Sequence, residues 1–398
     1  MIQLAPNTEC TSCGACAYIC PHDCITMRTD STLYGAIRPT VDSTKCVSCK
    51  LCQKVCPIIS PLQYNSPLKA YAAWSSNEEE RRTSASGGIG AEVYKKTLDD
   101  GGWIAGAKQN KDFSVTLHTS KEKGAISEFK NSKYVFSSAI SLYKEIKDLL
   151  TKGERITVVG LPCQIAAIRR IFRDNINLLL IDVVCHGTTP HAYLVQHIQK
   201  LENECKEKTT RMSFRDPNKL TYTYTFTLYN KEGKLFYAKR TKDGDTYQYG
   251  YHKAISYQEI CYHCHFAKDK RISDITLSDY KGLGKLAPCQ YNELKVSSIL
   301  VNTHKGKAFI EQIINEKRIV AEERPVGEPI KGDAQLRCPS KKQHARLDFE
   351  RLIVENNGDF EKSMTEVIQK NKEREIFKTV VGLPKRVLSK IYRSIFRK

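Results

Sequence analysis

The sequence of 398 residues predicts a small α+β module, then an α/β domain with a partly parallel sheet and an antiparallel hairpin, then a basic helical tail. Three patterns support this fold class. Two cysteine runs of the same spacing lie within the first 56 residues. Strand and helix patterns alternate over 155–203, which predicts a parallel sheet. Threonine and aromatic residues alternate over 221–229 and the chain returns over 235–240, as in an antiparallel hairpin.

The cysteine runs predict a ferredoxin-type module over residues 1–62. Both runs read C-x2-C-x2-C-x3-C-P, the spacing of bacterial ferredoxins with two [4Fe–4S] clusters, where the fourth ligand of each cluster comes from the other run. Zinc and disulfides are the alternatives, but zinc sites rarely use four evenly stepped cysteines that end in Cys-Pro. The predicted ligand sets are Cys10, Cys13, Cys16 and Cys56 for one cluster, and Cys46, Cys49, Cys52 and Cys20 for the other.

The amino-acid composition limits the cellular environments and the binding partners that are expected for this chain. Sixteen cysteines in a long chain favour reduced thiols and metal clusters over a disulfide scaffold, and the start lacks a signal-peptide pattern, so a cytoplasmic protein is expected. No apolar run reaches the roughly 18 residues of a membrane-spanning helix. The formal charge of +19 suits an acidic electron carrier, an anionic membrane surface or nucleic acid. Because no nucleic-acid-binding signature accompanies this charge, nucleic acid is not expected.

The α/β domain is expected in two parts, 68–150 and 151–330. In the first part, the loop Ser86-Gly87-Gly88 precedes a predicted helix at 91–98. Backbone N–H groups at such a helix start bind anions such as a flavin pyrophosphate. An ordinary helix N-cap is the alternative reading of this loop.

Four cysteines of the second part form a candidate for a third cluster. Cys163 and Cys185 follow two predicted strands, at the carboxyl ends where open α/β sheets bind ligands. Cys261 and Cys264 add a CxxC pair. The four thiols suit a third [4Fe–4S] cluster, and a zinc site with four thiolates is the alternative.

Several segments of the α/β domain together resemble the coenzyme F420 hydrogenase/dehydrogenase beta-subunit family. The resemblance covers roughly residues 1–310, and Ser86-Gly87-Gly88 fits the family's flavin-side loop. One segment departs from the family pattern: the family usually has Gly-Asp-Phe-Trp-Gly where this chain reads SDYKG at 278–282. The matching segments are GLPCQ at 160–164, DVVCHG at 182–187, FRD at 214–216, CYHCHFA at 261–267 and RISDITLSD at 271–279.

The resemblance implies an α/β flavin domain with FAD beside the third cluster. It also implies that Ser86, Gly87 and Gly88 hold the pyrophosphate, and that Arg271, Asp274 and Asp279 bind or shape the cofactor pocket. His186, at a strand exit, is the candidate catalytic residue for proton relay, because histidine titrates near neutral pH. A hydrogen bond from His186 to a cluster sulfur or to the backbone is the alternative.

Together these features predict an iron–sulfur flavoprotein oxidoreductase. It would pass electrons between ferredoxin-type clusters and FAD to reduce or oxidise an organic substrate or a deazaflavin-like cofactor. Ferredoxin or another redox protein is the expected partner. The alternatives are a non-catalytic electron-transfer subunit of a larger complex and a zinc-stabilised interaction module.

The tail, 331–398, predicts a basic amphipathic helix. Such a helix lies on an anionic membrane surface, here the inner face of the membrane, or docks on a partner; packing on its own domain is the alternative. The apolar face comprises Val387, Leu388, Ile391, Tyr392, Ile395 and Phe396, and the basic face comprises Arg386, Lys390, Arg393 and Arg397.

Overall fold

The computed structural model describes residues 2–30, 35–292 and 294–395, with side chains described as far as residue 377. The chain divides into two compact units, Met1–Lys341 and Lys342–Lys398. The predicted divisions near residues 62–68, 150 and 330 stay predictions. No helix in the described ranges is both long and apolar enough to cross a membrane.

The elements follow one another in a mixed α/β order. The strands are β1 (Ile25–Asp30), β2 (Ala36–Val41), β3 (Lys69–Ser75), β4 (Trp103–Gln109), β5 (Val115–Ser120), β6 (Ser137–Ser138), β7 (Ile156–Gly160), β8 (Leu178–Val183), β9 (Arg211–Ser213), β10 (Phe226–Tyr229), β11 (Leu235–Lys239), β12 (Ile275–Asp279), β13 (Ser297–Val301) and β14 (Ile319–Arg324). The helices are α1 (Ala15–Ile19), α2 (Leu51–Val55), α3 (Glu78–Thr83), α4 (Ile89–Asp99), α5 (Ala125–Phe129), α6 (Ile140–Thr151), α7 (Pro162–Phe172), α8 (His191–Cys205), α9 (Thr246–His252), α10 (His304–Asn315), α11 (Gly327–Gly332), α12 (His344–Glu355) and α13 (Phe360–Ile395).

A mixed sheet of nine strands organises the first unit. Its order is β14-β3-β13-β12-β8-β7-β4-β5-β6. The strands β4, β7, β8 and β12 run parallel to one another, so the predicted partly parallel sheet is confirmed. Because β7, β8 and β12 end at the same edge, the segments that follow them meet there. The buried aliphatic runs of β7 and β8 explain why the sequence pattern identified both strands.

The two cysteine runs fold as a structural repeat. Ser12 and Ser48, at matching positions, both have φ of 57°, and Gly14 and Lys50 precede the short helices α1 and α2 with φ of 75° and 62°. Between the runs, β1 pairs with β2 antiparallel. The module packs on the sheet domain through Ala15 in α1, which lies in the core cluster around α6.

The predicted hairpin is present but shorter than expected. Only Phe226–Tyr229 pairs with β11, and β9 adds a third strand that the sequence pattern did not indicate. The predicted strand over 221–225 was wrong, because Thr221–Thr223 forms a 3-10 turn. Tyr224 has φ of 54°, which takes the chain out of the extended conformation.

The second unit is the helical pair α12 and α13. Phe349 and Phe360 meet with ring centroids 6.0 Å apart, and Met364 and Val367 are buried in this unit. Within the predicted helical tail, 331–398, the helices cover His344–Glu355 and Phe360–Ile395. The predicted apolar and basic faces at 386–397 lie outside the described side chains.

Candidate functional site

The first predicted ligand set is brought together in the structure. Burial raises the pKa of Cys16, and the nearby thiols of Cys13, Cys10 and Cys56 raise it further. Burial and the thiols of Cys10 and Cys56 act on Cys13, whose pKa rises to about 11. Four thiolates this close repel one another unless positive charge lies between them, and the iron of a cluster supplies that charge. The donor set therefore suits the predicted cluster.

The second predicted set surrounds a small cavity of about 10 Å³. Cys20 reaches this cavity from the first cysteine run, so the exchange of the fourth ligand between runs is compatible with the fold. Cys49 is exposed to solvent, which places this set at the protein surface. A fifth thiol, that of Cys24, also lines the cavity.

The third set of cysteines lines a cavity of about 50 Å³ at the carboxyl edge of the sheet. Cys163 lies in the first turn of α7, Cys185 follows β8, and Cys261 and Cys264 come from the turn Glu259–His263 and its C-cap. Burial raises the pKa of Cys163 well above its ordinary value, and Cys264, Cys185 and Cys261 add to the shift. The prediction from strand exits thus identified four thiols that share one cavity.

Cys13 connects the first set with the third. Its side chain lines the 50 Å³ cavity together with Thr11 and Ser12. The Tyr143 hydroxyl donates a hydrogen bond of 2.6 Å to the Cys13 carbonyl, which fixes this loop against α6. Among all described residues, no group of three or more His, Cys, Asp or Glu side chains is arranged to hold a single metal ion.

Arg271 lies beside the third set rather than in a separate pocket. Its guanidinium donates to the Asp182 carboxylate at 2.6 Å and to the carbonyls of Phe266 and Lys268 at 3.1 and 3.0 Å. These contacts tie the loop after Cys264 to β8. Arg271 is also one of the residues that line the 50 Å³ cavity.

Asp274 is buried and forms ion pairs inside the protein. It is 1% exposed, and its carboxylate lies 3.1 Å from the Arg169 guanidinium and 3.3 Å from the Lys305 ammonium. It also accepts a hydrogen bond of 2.8 Å from the Leu180 amide. The described linings of the three cavities do not include Asp274. Its predicted role at the cofactor stays untested, and its contacts stabilise the sheet.

A larger cavity of about 490 Å³ adjoins the third set. Cys185 and His186 line both this cavity and the 50 Å³ cavity. At the other side, Ser86 and Gly88 line it where α4 begins. Its volume lies within the range of small-molecule and cofactor sites.

The loop before α4 depends on its glycines. A Cβ on Gly87 would lie 2.5 Å from the Ala73 carbonyl of β3 and 2.9 Å from the Ser297 amide of β13. Gly88 has φ of 87°, a left-handed conformation that glycine adopts readily. The loop therefore lies directly on the sheet and turns its backbone toward the cavity.

Cationic side chains border this cavity. Lys130, Lys133 and Arg215 line it, and Lys295 lies beside the loop, where its ammonium donates to the Ser84 carbonyl. Burial lowers the pKa of Lys133 to about 8, and burial with the nearby Arg215 lowers the pKa of Lys295 to about 8. The three acceptors of the Lys133 ammonium are backbone carbonyls. A bound anion would relieve the desolvation and repulsion that lower these pKa values.

An aromatic wall faces the same space. Tyr134 stacks on Tyr251 at 4.4 Å between ring centroids, and the Arg215 guanidinium lies 4.1 Å over the ring of Tyr224. Burial lowers the pKa of His252 to about 4, with Arg215 and His186 contributing, so this imidazole is neutral near pH 7. Tyr224, from the segment that precedes β10, also lines the cavity.

His186 lies at a strand exit, as predicted, and Asp279 at the end of β12 and Lys281 line the same cavity. The Lys281 ammonium is 3.2 Å from His186 Nε2 and 3.2 Å from the Asp333 carboxylate. Burial and the Lys281 charge lower the pKa of His186. Asp279 lies 3.5 Å from Arg215. Lys281 stands at the position where the family pattern has tryptophan, so a cation replaces an aromatic side chain in this wall.

The sequence analysis missed several residues that line this cavity. Arg215 belongs to the FRD segment and Lys281 to the departing SDYKG segment, so both carried a signal that could have identified them. Tyr134, Tyr251 and His252 lie outside the matching segments. Their position depends on tertiary packing, which periodicity does not report.

The fold and the thiol sets define an iron–sulfur redox protein with a ligand cavity at the carboxyl edge of an α/β sheet. Residues 9–58 match the 4Fe-4S dicluster domain. Residues 153–326 match the family model for the C terminus of the coenzyme F420 hydrogenase/dehydrogenase beta subunit. The chain is therefore similar to the C-terminal part of this beta subunit over 153–326 and to a 4Fe-4S dicluster domain over 9–58.

One curated relative and one solved structure are similar over most of the chain. The relative is a subunit of the F(420)H(2) dehydrogenase of Methanosarcina mazei. It is 24% identical over 341 residues, which is 81% of this chain and 87% of the relative. A structure of the F420-reducing [NiFe] hydrogenase complex from Methanosarcina barkeri covers 79% of this chain and 94% of its own, at 16% identity and a TM-score of 0.42.

Proposed function

We propose that this chain is an FAD-dependent iron–sulfur oxidoreductase with three [4Fe–4S] clusters. The observation that carries the proposal is the shared lining of neighbouring cavities. Cys13 of the first set lines the cavity of the third set, and Cys185 of the third set lines the 490 Å³ cavity. The order of sites is therefore the first thiol set, the third thiol set and then the large cavity. The second set lies at the protein surface, because Cys49 is exposed.

The cofactors would supply the redox chemistry: clusters carry single electrons, and FAD stores two electrons and exchanges a hydride. The cysteine side chains would bind the clusters and set their spacing. Ser86 and Gly88 would present the start of α4 to the pyrophosphate, and Lys130 and Lys133 in the cavity lining, with Lys295 beside the loop, would offset its charge. Tyr251 and Tyr257 wall the cavity beside Cys185 and exclude water there.

Lys281 and His186 are the groups that we assign to proton chemistry. The Lys281 ammonium donates toward His186 Nε2 and is paired with Asp333, so one proton is held at Lys281 Nζ in the cavity wall. His186 orients this donor and stays the predicted catalytic residue. The substrate in this proposal is an unsaturated or carbonyl-type organic molecule that accepts a hydride.

The surface around the second thiol set suits an acidic one-electron carrier such as ferredoxin. Val47 is 61% exposed and Leu51 is 37% exposed, on either side of the exposed Cys49. Lys45, Lys50 and Lys54 lie near these apolar residues in the sequence. A small apolar centre with cations around it is complementary to an acidic partner, and charge of this kind speeds encounter.

Anaerobic purification with quantification of iron, sulfide and released flavin tests the proposal. We expect about twelve iron atoms and one FAD per chain. About eight iron atoms would contradict the third cluster, and zinc without iron or sulfide would support an interaction module instead. Chromatography of the released flavin distinguishes FAD from FMN and from a deazaflavin.

A non-catalytic electron-transfer subunit is the second candidate, because the curated relative is itself named as a dehydrogenase subunit. Turnover separates the two functions. Reduced ferredoxin with this chain alone should reduce the bound flavin and then a flavin-oxidising acceptor at steady state. Flavin reduction without turnover of any added acceptor would favour the electron-transfer role.

A further inference from the structure

The second ligand set contains one thiol more than a cluster needs. The Sγ atoms of Cys20 and Cys24 are 3.2 Å apart, and Cys24 also lies within hydrogen-bonding reach of the Cys46 thiol. Cys24 is 3% exposed and packs against Ile25 and Cys52. Cys24 lines the same cavity as Cys20, Cys46, Cys49 and Cys52.

The first ligand set has no counterpart of Cys24, although the two runs are a repeat. Cys24 is the fourth residue after Cys20, and the fourth residue after Cys56 is Ser60. The Ser60 hydroxyl donates to the Gln53 carbonyl at 3.1 Å, so it is engaged with the backbone of α2. The first ligand set, which has Ser60 where the second set has Cys24, can therefore serve as a control within the same protein.

A backbone turn after Cys20 brings Cys24 back beside Cys20. Pro21 turns the chain after Cys20, and Asp23 has φ of 46°, which closes a tight turn. The Cys24 carbonyl then accepts a hydrogen bond of 2.8 Å from the Asp42 amide at the start of the pairing of β1 with β2. The position of Cys24 is consequently fixed by the strand pair and does not depend on Cys20.

We propose that Cys24 is a reserve ligand of the second [4Fe–4S] cluster, which binds iron in place of Cys20 when Cys20 is lost or chemically modified. In this exchange the Cys24 S–H bond breaks, its proton goes to solvent, and one Fe–S bond forms. The Fe–S bond of Cys20 breaks, and where the Cys20 thiolate is intact it takes up one proton. No oxidation state of iron changes. The proposal rests on the cluster of the dicluster domain and not on the proposed flavin.

The exchange is geometrically favoured because the incoming sulfur already lies next to the outgoing one. At a separation of 3.2 Å between the two Sγ atoms, a side-chain rotation brings the new donor to the iron that Cys20 serves. A thiolate is also the ligand that this iron prefers, so the replacement keeps the donor type. A cluster near the surface, beside the exposed Cys49, gains tolerance to damage at Cys20.

The test compares four alanine variants, purified anaerobically as the full chain: Cys20→Ala, Cys24→Ala, the double variant of these two, and Cys56→Ala. Alanine is used because a serine oxygen placed at the ligand position can itself bind iron. Iron and acid-labile sulfide are measured per chain, and low-temperature electron paramagnetic resonance of the reduced protein counts the clusters. These readouts need no substrate and no flavin.

We expect Cys24→Ala to keep the full iron content and Cys20→Ala to keep it as well. The double variant should lose about four iron atoms per chain, and Cys56→Ala should lose about four, because Ser60 offers no thiolate and its hydroxyl is held by α2. Equal iron loss in Cys20→Ala and in the double variant would overturn the proposal. Iron retention in Cys56→Ala would also overturn it, since retention would then need no fifth thiol.

Two further observations separate the expected result from misfolding of a variant and from an empty third set. If the double variant loses only the signal of one cluster and keeps the others, its loss is local and not a failure to fold. If the third set holds no iron, the wild-type content falls from about twelve to about eight atoms, but the expected difference of about four remains. A failure of the proposed function is therefore distinguishable from a failure of this inference.

Discussion

Arg271 and Asp182 show how single residues support the third thiol set. Both are 2% exposed, and their ion pair lies between the loop after Cys264 and strand β8. The second carboxylate oxygen of Asp182 is buried, with no hydrogen-bond partner among the described residues. A charge in this environment is stable only while its partner is present.

Replacing Arg271 should therefore be costly. For Arg271→Met we expect a loss of about 3–5 kcal/mol in the free energy of unfolding, because the Asp182 charge stays buried without its partner. Urea unfolding of the anaerobic protein measures this loss. The double variant Arg271→Met with Asp182→Asn is the control and should be more stable than the single variant. A single variant as stable as wild type would show that the pair is not desolvated.

The lysines at the large cavity predict that the affinity for FAD depends on pH. The pKa of Lys133 and that of Lys295 are lowered to about 8, so both side chains are charged well below pH 8 and become neutral above it. Binding of an anionic phosphate needs the charged form. The affinity for FAD should therefore fall as the pH rises through about 8, and fluorescence titration at about pH 6.5, 7.5 and 9, on either side of these pKa values, measures it.

A substitution separates this effect from a general pH effect. Lys133→Met should bind FAD more weakly at about pH 6.5, by roughly tenfold if one charge–phosphate contact of about 1.4 kcal/mol is lost. It should also show a smaller decrease in affinity as the pH rises from there to about 9. An unchanged profile in both Lys133→Met and Lys295→Met would place the phosphate elsewhere.

At the scale of elements, the loop before α4 determines whether the helix start can approach the sheet. The contact between Gly87 and the Ala73 carbonyl leaves no space for a side chain. Gly90, three residues later and inside α4, has open space around the position of a Cβ. The two glycines therefore form a matched pair on either side of the start of α4.

Alanine at these two positions should have opposite effects. Gly87→Ala should destabilise the protein by about 1–3 kcal/mol, because the backbone of β3 must shift, and it should weaken FAD binding. Gly90→Ala should stabilise the protein by about 0.5–1 kcal/mol, because alanine favours the helix. Thermal unfolding of both variants measures this. Equal effects of the two substitutions would contradict the close contact at Gly87.

The helices and strands also show how much of the fold can be predicted from the sequence. Strands β7 and β8 and helix α7 were predicted because aliphatic runs and caps are local signals. The start of the hairpin was predicted wrongly because Thr221 and Tyr224 have partners distant in sequence. The Thr221 hydroxyl donates to the Ser84 carbonyl at 2.7 Å, and the Tyr224 hydroxyl donates to the Asp279 carboxylate at 3.4 Å. A local alternation cannot report such contacts.

At the scale of the whole molecule, cysteine spacing and sheet topology together bring the predicted thiol sets to neighbouring cavities. The spacing alone predicted the first two sets, since a repeat of four cysteines is a strong signal. The third set needed the sheet, because its members are spread from Cys163 to Cys264 and meet only where parallel strands end. The wall of the large cavity needed the full tertiary structure, apart from Ser86, Gly88, Cys185, His186 and Asp279.

The net charge of +19 leads to a prediction about electron delivery. If an acidic carrier docks around Cys49, removing cations there should slow its association at low salt. We expect Lys45→Gln with Lys54→Gln to lower the rate of reduction by an acidic ferredoxin by roughly two- to tenfold at low ionic strength. The difference should shrink at about 0.5 M salt, because the Debye length falls to a few ångströms.

A matched variant distinguishes local docking from total charge. Lys231→Gln with Lys242→Gln removes the same charge from exposed positions in the turn after β10 and in the turn Thr241–Asp243. Stopped-flow reduction by the same ferredoxin should be near wild type in this control, because steering depends on where the charge lies. Equal slowing in both double variants would show that net charge alone governs the encounter. Equal rates in all three proteins would move the entry of electrons away from Cys49, and the order of sites would then begin at another cluster.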